Sequence, residues 1–260
     1  MPEPTGKKAP RIRAVPAVTR AVAILRLLGE KPNGLGVKAI ADALGLVPST
    51  CLHILRALVA ENLVQQDAGT KRYGLGSGMV ALARNALANV GFASLAKPLL
   101  DSLSAKWGLT VMGTELTPRE TVLVLAVARP DRPLQLHASV GSEFYYLTSA
   151  TGRLIAAFGN LSNPELRGKF SRIQWDRPMR FEEWLAEIEQ TRAQGWAVDR
   201  DRFKNGITAY AVPVLLPSGG VSHSLVAMGL SAEMPEVEGQ ALARDMQAAA
   251  AEISRQLSAD

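Results

Sequence analysis

The stretch from 37 to 58 constrains this chain more than any other. Ala41 is followed four residues later by Gly45, and Ile40, Leu44, Leu46, Cys51 and Ile54 surround the pair. Two helices that meet closely need a small residue where they touch, a glycine at the turn, and buried apolar positions before and after it. Val37, Ile40, Ala41 and Leu44 form one stripe of a short helix that ends at Gly45. Pro48 suits the first turn of a second helix, which the pattern carries to about Asn62. On that helix Cys51, Ile54, Leu55 and Leu58 share the inward face, leaving Ser49, Leu52, His53 and Arg56 on the outward one.

The flanks extend the motif. Val18, Ala21, Val22, Leu25 and Leu28 recur at helical spacing before it, and Gly29 to Gly36 ends that helix. After it, Leu63 to Gln66 and Arg72 to Leu75 flank five turn residues, Asp67 to Lys71, which reads as a β-hairpin. Helix-turn-helix plus hairpin is a winged helix, assigned to residues 15–77. Charge agrees with that assignment. Residues 1–90 carry twelve Lys plus Arg against five Asp plus Glu, net +7, while the remainder is net −2. A basic module on a mildly acidic body suits a polyanion partner, although a solvated basic face has the same composition. The outward face can enter the major groove, with Arg56 donating to guanine, His53 and Ser49 to base edges or phosphate, and Leu52 touching a thymine methyl. Lys71 and Arg72 at the wing are expected on phosphate or in the minor groove. Residues 1–14, with Pro2, Pro4, Gly6 and Pro10 among basic side chains, read as a flexible basic arm.

From Met79 the chain is alanine-rich and helical to about Asn89, a connector assigned to 78–92, with a boundary near Gly91. Beyond it lie a helix over Leu95–Trp107 and strands at Thr110–Glu115, Thr121–Ala128 and Pro133–Ser139. Helices follow at about Ala150–Phe158 and Phe181–Gln194. Strands at Ala209–Leu215 and Leu225–Leu230 are joined through Pro217, Ser218, Gly219 and Gly220, and a last helix covers about Val237–Leu257. The expected class is α+β, with helices packed on a mixed antiparallel sheet. With 47% hydrophobic residues the chain can bury a full core, and its longest apolar run, Val122 to Ala128, is far too short for a bilayer. The first twenty residues do not read as a signal peptide, so a cytoplasmic location is expected. One cysteine excludes internal disulfides and cysteine-built zinc sites, and Cys51 on the inward stripe reads as inert packing. His53, His137 and His223 lie far apart, and neither a metal nor a cofactor is expected. Gly74, Gly76 and Gly78 lack dinucleotide spacing, and no Walker, Gly-x-Ser-x-Gly or His-Glu-x-x-His signature occurs, so no catalytic residue is assigned.

Taken together, Ala21 to Leu28, Leu46 to Cys51, Tyr73 to Gly76, Gly141 through Leu147 to Arg153, Gly195 to Asp199 and Gly206 to Val214 resemble the IclR-type bacterial transcriptional regulators. The resemblance covers nearly the whole chain from Val18 and implies a winged helix joined by a linker helix to a GAF-like effector-binding and oligomerisation domain, here 93–260. It implies a homodimer or dimer of dimers on a palindromic operator, with a small molecule altering operator affinity or polymerase recruitment. With it the DNA-binding candidates become Ser49, Thr50, Leu52, His53, Arg56, Lys71 and Arg72. By position, the effector pocket is implied to be lined by Leu147, Ala150, Thr151, Gly152, Asp199, Ala209, Gly229 and Ser231. Arg153 stands where the family usually has lysine, and Gly229 or Ala209 where it often has serine or cysteine. His53 replaces a common arginine and Leu52 a common histidine, so a different operator is expected. From the residues alone, a helix beginning near Ser149 offers free amides to an anion, with Phe144, Tyr145, Tyr146 and Leu147 as an apolar or aromatic wall. That favours a small carboxylic acid. Asp199 to Arg202, alternating in sign, equally fits an ordinary solvated run. The competing function is a small-molecule sensor or enzyme whose winged helix serves protein contacts.

Overall fold

Three helices and a hairpin account for residues 16 to 75. The computed structural model describes residues 15–89, 91–133, 136–215, 221–234 and 236–258. Helices α1 (Pro16–Gly29), α2 (Val37–Leu44) and α3 (Pro48–Ala60) precede strands β1 (Val64–Gln66) and β2 (Tyr73–Leu75). Gly45 takes φ +62° and the Leu46 amide donates to the Ala41 carbonyl at 2.8 Å, so the helix end is closed by a left-handed residue as its sequence requires. Asn62 does the same for α3 at φ +58°, with Leu63 N–H bonded to Leu58 O, which stops the helix two residues before the expected end. Ile24, Leu28, Ile40, Ala41, Cys51, Leu55, Leu58, Val64 and Tyr73 form the core of this unit. Leu35 pairs with Tyr73, tying the loop after α1 to the hairpin.

Helix α4 (Gly78–Asn89) follows, and the chain divides into two compact units between Ala86 and Leu87. The second unit continues with α5 (Gly91–Trp107), β3 (Thr110–Leu116), β4 (Thr121–Ala128), β5 (Glu143–Tyr145), α6 (Ser149–Phe158), α7 (Asn163–Phe170) and α8 (Phe181–Gln194). It ends with β6 (Ala197–Arg200), β7 (Ile207–Leu215), β8 (Val221–Leu230) and α9 (Glu236–Leu257). Its sheet runs β5-β4-β3-β8-β7-β6 with every pair antiparallel, and the fold is α+β. Strand alternation sends Val111, Val212, Val214, Leu225 and Ala227 to the side of α5 and α9. Met112, Val124, Ala209, Ala211 and Val226 go to the opposite side, with Ala150 and Leu154 of α6.

The strand expected over Pro133–Ser139 is not formed in its described part, residue 133 and residues 136–139. Proline offers no ladder N–H, and the carbonyls there are taken by side chains: Leu136 O accepts from Thr110 Oγ1 at 2.8 Å and Ala138 O from the Arg129 guanidinium. The edge strand is β5 instead. The expected turn through Pro217, Ser218, Gly219 and Gly220 lies outside the described residues. Helix α7 had no apolar stripe to reveal it, since only Leu166 is buried, but Ser162 and Glu165 form a capping box that marks its start. Among the described residues no single helix is long and apolar enough to cross a membrane.

Candidate nucleic-acid interface and effector cavity

In the first unit the outward face of α3 is free. Ser49, His53 and Arg56 are exposed and Leu52 and Thr50 half-buried, because Cys51, Leu55 and Leu58 hold the opposite face in the core. Between α3 and the hairpin runs a groove lined by Leu52, Arg56, Lys38, Gln66, Thr70 and Lys71, among others. Three cationic side chains from three different elements therefore converge. Lys38 and Gln66 were not singled out by sequence, and no periodicity could do so, since each reaches the groove through the tertiary fold.

The wing tip is fixed by Asp67. Its Oδ1 accepts from the Thr70 amide at 2.6 Å and the Thr70 hydroxyl at 2.7 Å, bonds that hold the carboxyl below its ordinary range. Lys71 sits at φ +58° beyond that turn. The two basic wing residues then part company. Lys71 joins the α3 groove, whereas Arg72 turns to the other side of the hairpin and donates to the Asn33 carbonyl at 3.3 Å. Cys51 is fully buried, and burial pushes its thiol up, away from the reactive thiolate.

In the second unit a cavity of about 150 Å³ opens between the α6 side of the sheet and the start of α6. Met112, Val124, Val226 and Met228 form its sheet wall, with Phe144, Phe203 and Ile207 beside them. Polar groups are few: Thr148, Ser149, Thr151, Asp199, Thr114, Tyr145 and Lys204. Thr114 is already bonded to Ser224, and Lys204 Nζ, at the exposed side, pairs with Asp176 at 3.0 Å. Burial raises the Tyr145 phenol, which keeps it protonated.

Of the eight residues expected to line this cavity, Thr151, Asp199 and Ala209 do so. Leu147, Ala150, Gly152, Gly229 and Ser231 do not. Leu147 and Ala150 are fully buried in the packing around α6, and Tyr146 likewise belongs to the core while its neighbours Phe144 and Tyr145 reach the cavity. Gly152 lies against the chain before α6, where a Cβ would fall 2.0 Å from Leu147 O. Gly229 follows cavity-lining Met228 and so faces the other side of the sheet, against Leu109 and Met234. The Ser231 hydroxyl is committed to Asp201 Oδ1 at 2.7 Å and to Thr208, and its bond is the largest cause of the lowered Asp201 pKa.

Arg153 organises the polar end. It is 1% exposed, and Nη1 donates both to Ser149 O at 2.9 Å and to Asp199 Oδ2 at 2.7 Å, while Nε donates to Glu187. Asp199 is 2% exposed, so it is not part of a solvated run; its other oxygen accepts the Phe203 amide at 3.1 Å. Ser149 holds φ +55°, a strained conformation for a non-glycine that the Arg153 bond to its carbonyl helps to fix. The amides of Ser149, Ala150 and Thr151 have no partner among the described residues; the first helical bond is Gly152 N–H to Thr148 O. Among the described residues no group of three His, Cys, Asp or Glu side chains is placed to hold a metal.

Comparison with known proteins bears on both sites. A family model described as the IclR helix-turn-helix domain matches residues 17–68, and one described as bacterial transcriptional regulator IclR C-terminal matches 84–255. The chain is 32% identical to the glycerol operon regulatory protein of Streptomyces griseus over 206 residues, 78% of this chain and 80% of that protein. The crystal structure of an IclR transcriptional regulator from Alicyclobacillus acidocaldarius superposes with a TM-score of 0.83 at 25% identity, covering 94% of this chain and 99% of that one. An IclR homologue from Microbacterium hydrocarbonoxydans, solved in complex with 4-hydroxybenzoate, shares the fold at 16% identity and a TM-score of 0.77, over 94% of this chain and all of that one. The chain belongs to the IclR family of bacterial transcriptional regulators, pairing a DNA-binding helix-turn-helix with a C-terminal effector-binding domain.

Proposed function

We propose that this regulator binds a palindromic operator as a homodimer or dimer of dimers and that a small carboxylic acid in the second-unit cavity controls the binding. It acts in the cytoplasm as a regulator rather than as an enzyme, needing no cofactor and no membrane. Ser49, Thr50, Leu52, His53 and Arg56 face the major groove, and Lys71, with Lys38, neutralises phosphate; Arg72 is the weaker member of the original set because it braces the loop after α1. Residues 1–14, which lie outside the described residues, serve as a basic arm, 15–77 as the DNA-binding domain, 78–92 as the linker and 93–260 as the effector and oligomerisation domain. Val15, Val18 and Val22, exposed along one side of α1, supply apolar surface for a second copy.

The observation that carries the effector reading is the start of α6 at the cavity wall, where Ser149 and Thr151, whose amides have no partner among the described residues, line a mostly apolar space. A volume of about 150 Å³ admits one aromatic ring or a short aliphatic chain. Thr151, Asp199 and Ala209 contact the acid, while Leu147, Ala150, Gly152, Gly229 and Ser231 of the expected set shape the walls from behind. The acid bound by the Microbacterium homologue supports the same chemistry. Selection of bound fragments from random DNA, with and without a panel of small carboxylic acids, tests the whole reading. It should return a palindromic consensus with half-sites one or two helical turns apart, and at least one acid should change the recovery. Sequence-blind recovery, or a response only to neutral sugars or cations, would refute it.

A further inference from the structure

Resting on the reading of Lys71 as a phosphate contact, we propose that Asp67 is a positioning residue for DNA binding. It holds the wing tip so that Lys71 stays at the α3 groove, and an acidic side chain thereby strengthens the grip on a polyanion. Asp67 is the only acidic residue between Glu61 and Asp101, and it lies at the tip of a basic wing. There its charge opposes phosphate. Its bonds work the other way. Oδ1 accepts from the Thr70 amide at 2.6 Å and from the Thr70 hydroxyl at 2.7 Å, which ties down the residue immediately before Lys71.

Lys71 needs that support. Its φ of +58° puts the backbone in the left-handed region, where Cβ crowds the following carbonyl oxygen and a lysine stays only when its surroundings fix it. Its amide donates to the Asp67 carbonyl at 2.9 Å and its own carbonyl accepts from Gln66 Nε2 at 3.4 Å. The Asp67 amide donates to Arg72 O at 2.8 Å and closes the turn. Those three bonds use the main chain or Gln66, so any residue at 67 could keep them. The two bonds from Thr70 require an acceptor on the side chain of residue 67. Without it Thr70 is free to rotate, Lys71 relaxes toward negative φ, and its side chain leaves the groove it shares with Lys38 and Arg56.

Charge and geometry at Asp67 therefore predict opposite signs. Fluorescence anisotropy separates them, with the full-length protein on the duplex recovered by selection from random DNA, between about 50 and 200 mM salt. Asp67→Ala should weaken binding roughly 2- to 5-fold, as the loss of one exposed ion pair does, and reduce the slope of log affinity against log salt by about 1. Asp67→Asn drops the charge but keeps an acceptor oxygen for Thr70, and should bind at least as tightly as the wild type with an unreduced slope. In a Lys71→Ala background, Asp67→Ala should cost nothing further.

Asp67→Ala binding as tightly as the wild type, or tighter, overturns the proposal. So does an asparagine variant as weak as the alanine one, because the acceptor would then not be what matters. A loss on Asp67→Ala that persists in full once Lys71 is gone also overturns it, since a general loosening of the wing would explain that loss. If Lys71→Ala alone leaves affinity and slope unchanged, the phosphate reading of Lys71 falls and this proposal falls with it.

Discussion

The two units place function in opposite ways. In the first, the side chains proposed to read DNA stand outside a small core, on a helix set by the single stretch from 37 to 58. In the second, the proposed contact residues line an interior space whose walls come from β3, β4, β5, α6, β6, β7 and β8, spread from Met112 to Met228. A surface site tolerates change in its own residues without loss of fold, whereas an interior site shares its residues with the core. Substitutions should therefore separate binding from stability in the first unit and entangle them in the second.

The largest effect is expected at Gly152 and Arg153. A Cβ at 152 collides with backbone, not with a side chain that can move, so Gly152→Ala should destabilise the second unit by about 4 kcal/mol or more. Arg153→Met leaves Asp199 buried without its partner and should lose about 3 to 5 kcal/mol in denaturant unfolding, together with acid binding. Wild-type stability in either variant would break the contrast. Next comes Arg56→Ala, which should weaken operator binding by about 1 to 3 kcal/mol in a mobility-shift titration and leave the melting temperature unchanged.

Smaller effects sharpen the same contrast. Gly45→Ala forces a side chain into the left-handed region and should lower first-unit stability by about 1 to 2 kcal/mol. Lys71→Ala should reduce the slope of log affinity against log salt by about 1, with the preferred sequence unchanged. His223 adds a pH dependence. It stacks on Phe92 with ring centres 4.3 Å apart, and burial lowers its pKa from 6.5 against the opposing pull of Glu115. The unfolded chain then binds the proton more readily, so second-unit stability should be full above pH 6.5 and fall as pH drops below it. His223→Phe should flatten the thermal-melting profile between pH 7 and 5.

What could be read in advance follows the same division. The positions of α2, Gly45 and α3 were legible because each is decided by neighbours within one or two turns. Strands β4 and β7 to β8 were legible from apolar runs. The side of the sheet on which Gly229 lies was not, because a resemblance by position does not carry strand parity. Nor was Arg153, which as a lysine replacement promised only an altered polar group; its oxygen partners lie four, thirty-four and forty-six residues away. The supposed strand at Pro133–Ser139 failed because side-chain donors from Thr110 and Arg129 took its carbonyls, a competition invisible in the local pattern.

The central claim is that an acid in the second unit changes what the first unit does to DNA. Fluorescence anisotropy on the selected operator, with the full-length protein at zero and saturating acid, measures it directly. The operator Kd should shift, and the acid Kd measured with and without operator should shift by the same factor, as linkage requires. An acid that binds while the operator Kd stays fixed would contradict the account.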